Sequence, residues 1–73
     1  MTLEEKIALL EETIEADEGS LSPDMLLEDV DEYDSMTKLA IIVMMEDEFK
    51  VKLTGDVVRG FVKVDDILKL MQK

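Results

Sequence analysis

The hydroxyl of Ser35 stands between Asp34 and Met36, where an acidic stretch meets an apolar run, and it is the side chain in this sequence best placed to do chemistry. A Ser or Asp at such a junction usually caps a helix, its oxygen accepting N–H groups that the first turn leaves unpaired. The same geometry has a second use. A hydroxyl in a first turn faces solvent, and a phosphate attached there sits at the positive end of the helix dipole. Ser35 is thus suited to phosphorylation or to a phosphodiester link, and the residue types alone do not choose between these and a plain cap.

Most other chemistry lacks its tools. The chain has no Cys and no His, which removes disulfides, Cys/His zinc sites, thiol nucleophiles and imidazole acid–base catalysis. No acid–base pair is arranged in the pattern, so the expectation is a protein that is not an enzyme. The acidic stretch invites a calcium reading, but an EF-hand register begun at Asp29 puts Tyr33 fifth, Asp34 where Gly is required and Ala40 where the bidentate Glu belongs. No metal site is expected.

Nineteen acidic residues against eight basic ones give a net charge of −11 in 73 residues. Nucleic acid and anionic membranes are bound through clustered Lys and Arg, so neither is an expected partner. A partner should present a basic patch, with fast, salt-sensitive encounter. The start of the chain lacks a basic segment followed by an apolar one, and no run approaches the roughly 18 apolar residues of a membrane span. A cytoplasmic monomer without membrane insertion is expected.

The elements that must position Ser35 emerge from spacing. Thr2 and Glu5 form a capping box, and Leu3, Ile7, Leu10 and Ile14 recur on one helical face. This predicts a helix over 3–16, with Glu4, Glu11, Glu12 and Glu15 toward solvent and Gly19 as the stop. Residues 19–34 are a long connection, in which Ser22-Pro23-Asp24 has the chemistry of a short helical turn. A second helix runs from Asp34-Ser35 to about Lys50. At 3.6 residues per turn, Leu39, Ile42, Met45 and Phe49 share one arc, taken as the core side. Met36, Ala40, Val43 and Asp47 share another. Thr54 caps a short helix through Val57, Val58 and Arg59, closed by Gly60. The last segment spaces Val64, Ile67, Leu68 and Met71 helically, with Asp65 and Asp66 in its first turn and Lys69 and Lys73 near its end, as the dipole favours. The fold expected is all-α: a small antiparallel bundle of three principal helices plus one short helix, with a long first loop and one domain over 1–73.

Tyr33-Asp34-Ser35-Met36, followed by an apolar helix ending Glu46-Asp47-Glu48-Phe49, resembles the acyl carrier protein family. That family's attachment site reads Asp-Ser-Leu or Asp-Ser-Met. Leu53-Thr54-Gly55-Asp56 and Phe61-Val62-Lys63-Val64-Asp65-Asp66-Ile67 are similar to its third helix and the opening of its fourth, so the likeness spans nearly the whole chain. The resemblance implies a 4′-phosphopantetheine, moved from coenzyme A to Ser35 by a phosphopantetheinyl transferase, with Asp34 helping that enzyme recognise the site. The arm's thiol would carry acyl groups as thioesters, which supplies the thiol the sequence lacks. Met36, Thr37, Ala40, Val43, Glu46 and Asp47 would meet acyl-loading and acyl-processing enzymes bearing basic docking patches. Leu39, Ile42, Val64 and Ile67 would be candidates for lining an acyl pocket. Thr37 and Ala40 stand where fatty-acid carriers commonly have Asp and Glu, and Tyr33 replaces a small residue. Fatty-acid, polyketide and specialised lipid synthesis are therefore all open as pathways. Two alternatives stand beside this: an aminoacyl or D-alanyl carrier, and a non-enzymatic helical interaction module with Ser35 as a simple N-cap.

Overall fold

Helix α1, Leu3–Thr13, starts where its sequence says it should: Thr2 Oγ1 accepts the Glu5 N–H at 3.2 Å and Glu5 Oε1 accepts the Thr2 N–H at 2.9 Å. The computed structural model describes residues 2–72; Lys73, expected near the end of the last helix, lies outside them. After α1 come a 3₁₀ turn at Leu27–Asp29, α2 at Ser35–Phe49, α3 at Gly55–Arg59 and α4 at Val64–Leu68. The described residues contain no strand, so the all-α expectation holds. The expected three principal helices do not: α4 has five residues, as few as α3.

α1 stops at Thr13, short of the expected 16, and the stop is not Gly19. Glu15 takes the left-handed conformation (φ 58°). The Ala16 N–H then reaches back to Glu11 O at 2.8 Å and the Glu15 N–H to Glu12 O at 3.2 Å, the pairing that closes a helix around a left-handed residue. Gly19, at φ 81°, serves the next turn, where the Ser20 N–H donates to Asp17 O at 3.1 Å. The helical turn expected at Ser22-Pro23-Asp24 is a simple reversal closed by the Met25 N–H on Ser22 O. The helical turn falls five residues later, at Leu27–Asp29.

One apolar cluster joins the elements. Leu10 and Ile14 beside α1's end, Ile41 and Met45 from α2, and Val64, Ile67 and Met71 from the C-terminal segment are all nearly or wholly buried. α1 packs on both α2 and α4. Leu3, expected on the inner face of α1, is exposed, because the face turns away from the core at the first turn. Glu11, expected outside, is 4% exposed, and its Oε2 accepts the Leu21 N–H at 3.0 Å. That carboxylate, with buried Leu21, Leu27 and Val30, ties the long connection to the body of the molecule. The connection is also stitched to the α3–α4 link: the Leu27 N–H donates to Val62 O and the Val64 N–H to Met25 O, both at 2.9 Å. An isolated antiparallel bridge, Leu26 to Lys63, lies between these two bonds. The long loop is thereby a packed part of the fold, and it delivers the chain to Asp34 in one place.

Candidate functional site

Asp34 is the N-cap of α2. Its backbone is extended, and its Oδ1 accepts the Met36 and Thr37 N–H groups, each at 3.0 Å. Thr37 completes a capping box: its Oγ1 accepts the Asp34 N–H at 2.8 Å and donates to Glu32 O at 2.9 Å. The Thr37 N–H first, then the Met36 N–H, the Thr37 hydroxyl and the nearby Lys38 charge hold the Asp34 carboxyl below its ordinary range. Charge-assisted bonds of this kind favour the ionised form.

This arrangement settles what Ser35 is not. The Met36 and Thr37 N–H groups, which a capping side chain would serve, are already taken by Asp34. Ser35 is exposed, and among the described residues its hydroxyl forms no hydrogen bond. The alternative in which Ser35 itself caps the helix is therefore corrected: the cap is Asp34. The neighbouring anionic site that a bare helix N-terminus would offer is also partly filled, since two of its donors face a carboxylate.

The two faces of α2 do not fall where the spacing placed them. The core side is Ile41, Met44, Met45 and Phe49, with Ile41 and Met45 at 0% exposure. Leu39, expected inside, is 64% exposed, and Ile42 is half-buried. Seven consecutive apolar residues, Leu39 to Met45, left the pattern with no polar side to orient it, so the burying arc was displaced. Outside lie Met36 at 80% and Val43 at 58%, joined by Leu39 into one apolar strip, with exposed Glu46 and Asp47 near its far end. Of the expected docking residues, Met36, Val43, Glu46 and Asp47 are open to solvent. Thr37 and Ala40 are half-buried, and Thr37 is engaged in the cap.

Beside Ser35 a cleft of about 260 Å³ opens between α2 and α3. Ser35, Lys38, Leu39 and Ile42 form one wall; Gly55, Val58 and Arg59 form the other. α3 stands there because Thr54 Oγ1 accepts the Val57 N–H at 3.3 Å and Val58 is buried beneath it. Leu39 and Ile42 line this cleft. Val64 and Ile67 are at 0% exposure in the core and do not line it. Lys38 and Arg59 were missed. Lys38 is one turn on from Ser35 and was legible as such; Arg59 comes from another helix, and only the fold reveals it.

A second, larger hollow of about 440 Å³ lies on the other flank of Lys38, lined by Tyr33, Leu26, Leu27, Phe61 and Val62. The Lys38 ammonium rests 5.3 Å from the centre of the Tyr33 ring, a distance at which the ring face attracts a cation. Burial pushes the Tyr33 phenol up, and its hydroxyl, closed off from solvent, finds no partner among the described residues. The acidic stretch from Glu28 to Asp34 makes no metal cage: among the described residues no three carboxylates converge. No described helix is long and apolar enough to cross a membrane.

No protein-family model, curated protein or solved structure matches this chain.

Proposed function

We propose that this chain is a carrier protein of the acyl carrier kind, with a 4′-phosphopantetheine arm on Ser35 and acyl groups held as thioesters on its thiol. The observation that carries this reading is the division of labour at the start of α2. Asp34 does the capping, and the next residue is left with an exposed hydroxyl that no other group in the described structure uses. A polar residue at a helix start is ordinarily explained by its cap; Ser35 lacks that explanation.

Three further features agree with it. The apolar strip of Met36, Leu39 and Val43 runs from beside Ser35 along an exposed face, and an exposed apolar patch on a small protein is characteristic of an interaction surface. The charge of −11 suits partners with basic surroundings. The helices α1 and α2, joined by a long packed connection, fit the antiparallel bundle with a long first loop that the resemblance implies. In the loading step the Ser35 Oγ would attack the phosphorus that bears the pantetheine in coenzyme A. The pyrophosphate P–O bond would break, 3′,5′-ADP would leave, and the serine proton would pass to a base of the transferase. The chain's own part is to present the oxygen and dock the enzyme, with no catalytic group of its own.

The apolar strip would equally serve a non-enzymatic interaction module, so the decisive test is covalent. Incubated with coenzyme A and a broad-specificity phosphopantetheinyl transferase, the chain should gain one phosphopantetheine by intact mass, and Ser35→Ala should gain none. No gain in the unaltered chain, or a gain that survives Ser35→Ala, refutes the carrier reading. Which enzyme then charges the holo form separates acyl from aminoacyl or D-alanyl cargo.

A further inference from the structure

We infer that Lys38 and Arg59 are a cationic clamp for the phosphodiester on Ser35, holding the first part of the arm in the α2–α3 cleft instead of leaving it free in solvent. The inference rests on the carrier reading and adds to it where the arm lies and what fixes it there.

The need for such a clamp comes from the cap. A phosphodiester on Ser35 brings a negative charge into a chain already at −11, next to the Asp34 carboxylate. The usual relief, the N–H groups of the first helical turn, is partly occupied: Met36 and Thr37 donate theirs to Asp34 Oδ1 at 3.0 Å. Positive charge on nearby side chains would relieve the rest. The chain's basic residues number only eight, and two of them line the cleft beside Ser35, one from each wall.

Both cations are held so that they can turn to it. Lys38 is half-buried against the Tyr33 ring, and its ammonium keeps all three donors, because a ring face uses none of them outright. Arg59 pairs with Asp56, with both side chains largely exposed. A surface pair of that kind contributes little, and a guanidinium has five donors, so it can contact a phosphate without leaving the carboxylate. The rest of the cleft matches the segment of the arm just beyond the phosphate. That first carbon segment of pantetheine carries two methyl groups on one carbon, and the walls there are Leu39, Ile42 and Val58. At about 260 Å³ the cleft is smaller than the roughly 300–1,000 Å³ of sites that enclose a whole drug-sized ligand. It suits the first segment alone, with the thiol end beyond it.

The test compares amide spectra of the apo and holo chain. With the clamp, attachment should shift the amides of Leu39, Gly55 and Val58 as well as those next to Ser35. In Lys38→Gln/Arg59→Gln, compared as fully modified chain separated from unmodified by intact mass, the α3 shifts should fall to the level of distant residues. Raising salt from about 0.1 M to about 1 M cuts the screening length from about 10 to about 3 Å, and in the unaltered holo chain it should shrink the α3 shifts in the same way. This arm of the test needs no variant. Holo shifts confined to the neighbours of Ser35, or α3 shifts indifferent to both the double substitution and salt, overturn the clamp and leave the carrier reading standing. Failure of transfer to Ser35 in the unaltered chain overturns both.

Discussion

The two long faces of α2 are built from the same residue types and have opposite fates. Ile41, Met44, Met45 and Phe49 are buried, while Met36, Leu39 and Val43, drawn from the same apolar stock, stand in water. Solvent alone would not choose this, since burying an exposed Leu or Met side chain is worth about 1.5–3 kcal/mol. The inner face is explained by packing, because α1 packs on α2 and these residues join the core cluster of the molecule. The outer face has no such explanation inside the molecule, and it begins one residue from Ser35. An apolar strip that the fold leaves uncovered, starting where α2 presents an unemployed first-turn hydroxyl, is the surface on which the proposed carrier function would dock its enzymes.

The largest effect should come from breaking the inner face. Ile41→Ala removes a wholly buried side chain, at a cost of about 2–5 kcal/mol for such truncations. A single core below roughly 80 residues rarely supplies more than about 3–5 kcal/mol in all. The variant should therefore be largely unfolded at room temperature, as circular dichroism and urea titration would show. A cooperative melt close to that of the parent would mean that Ile41 is not the keystone its burial indicates.

A middle-sized effect belongs to the cap, which supports both faces equally. Asp34→Ala frees the Met36 and Thr37 N–H groups and should lower Tm by roughly 4–8 °C, the shift a typical helix cap gives a domain of this size. Asp34→Asn, which keeps an accepting oxygen, should lose less. The pH dependence has a definite sign. Because the folded state holds the Asp34 carboxyl below its ordinary value of 3.8, its stabilisation is fully present above that value and disappears as pH falls through the lowered one. The Tm gap between the parent and Asp34→Ala should therefore be constant from pH 7 down to the ordinary Asp range and narrow below it, toward the gap that separates Asp34→Asn from Asp34→Ala. A gap of unchanged width in stronger acid would show that the charge of the carboxylate adds nothing to the cap of α2.

How far such contrasts could be read from sequence depends on the range of the forces that set them. The starts of α1, α2 and α3 were legible because Thr2, Asp34 and Thr54 bond within three residues of themselves. So was the exposure of Ser35. The end of α1 was not, because Gly19 looked the better left-handed residue and the structure uses Glu15, which packing of Ile14 and Ala16 makes worth its strain. Glu11 was misplaced because its partner, the Leu21 N–H, is ten residues away. The inner arc of α2 was misjudged for a related reason: when polar residues do not mark an outside, only the neighbouring helices decide which apolar residues go in. Arg59 beside Ser35 is the extreme case, brought there by two helices whose sequences carry no sign of each other.

The smallest effect on stability is the most informative about function. Leu39→Ala truncates a residue at 64% exposure, and surface substitutions of this sort usually fall within about 0.5 kcal/mol of neutral. Its melt should overlay the parent's, the opposite of Ile41→Ala two residues away. If the outer face exists for partners, the same substitution should lower the efficiency of phosphopantetheine transfer, read as kcat/KM with the apo chain as substrate. A residue at the centre of an interface commonly costs more than 1 kcal/mol when truncated, so a loss of about tenfold is the scale to look for. It should appear mainly in KM, because Leu39 would contribute to docking and not to the reacting oxygen. A normal melt with normal transfer would restrict the docking surface to the residues around Met36. A collapsed melt would mean that Leu39 holds the α2–α3 cleft together and that the outer face is not spare surface after all.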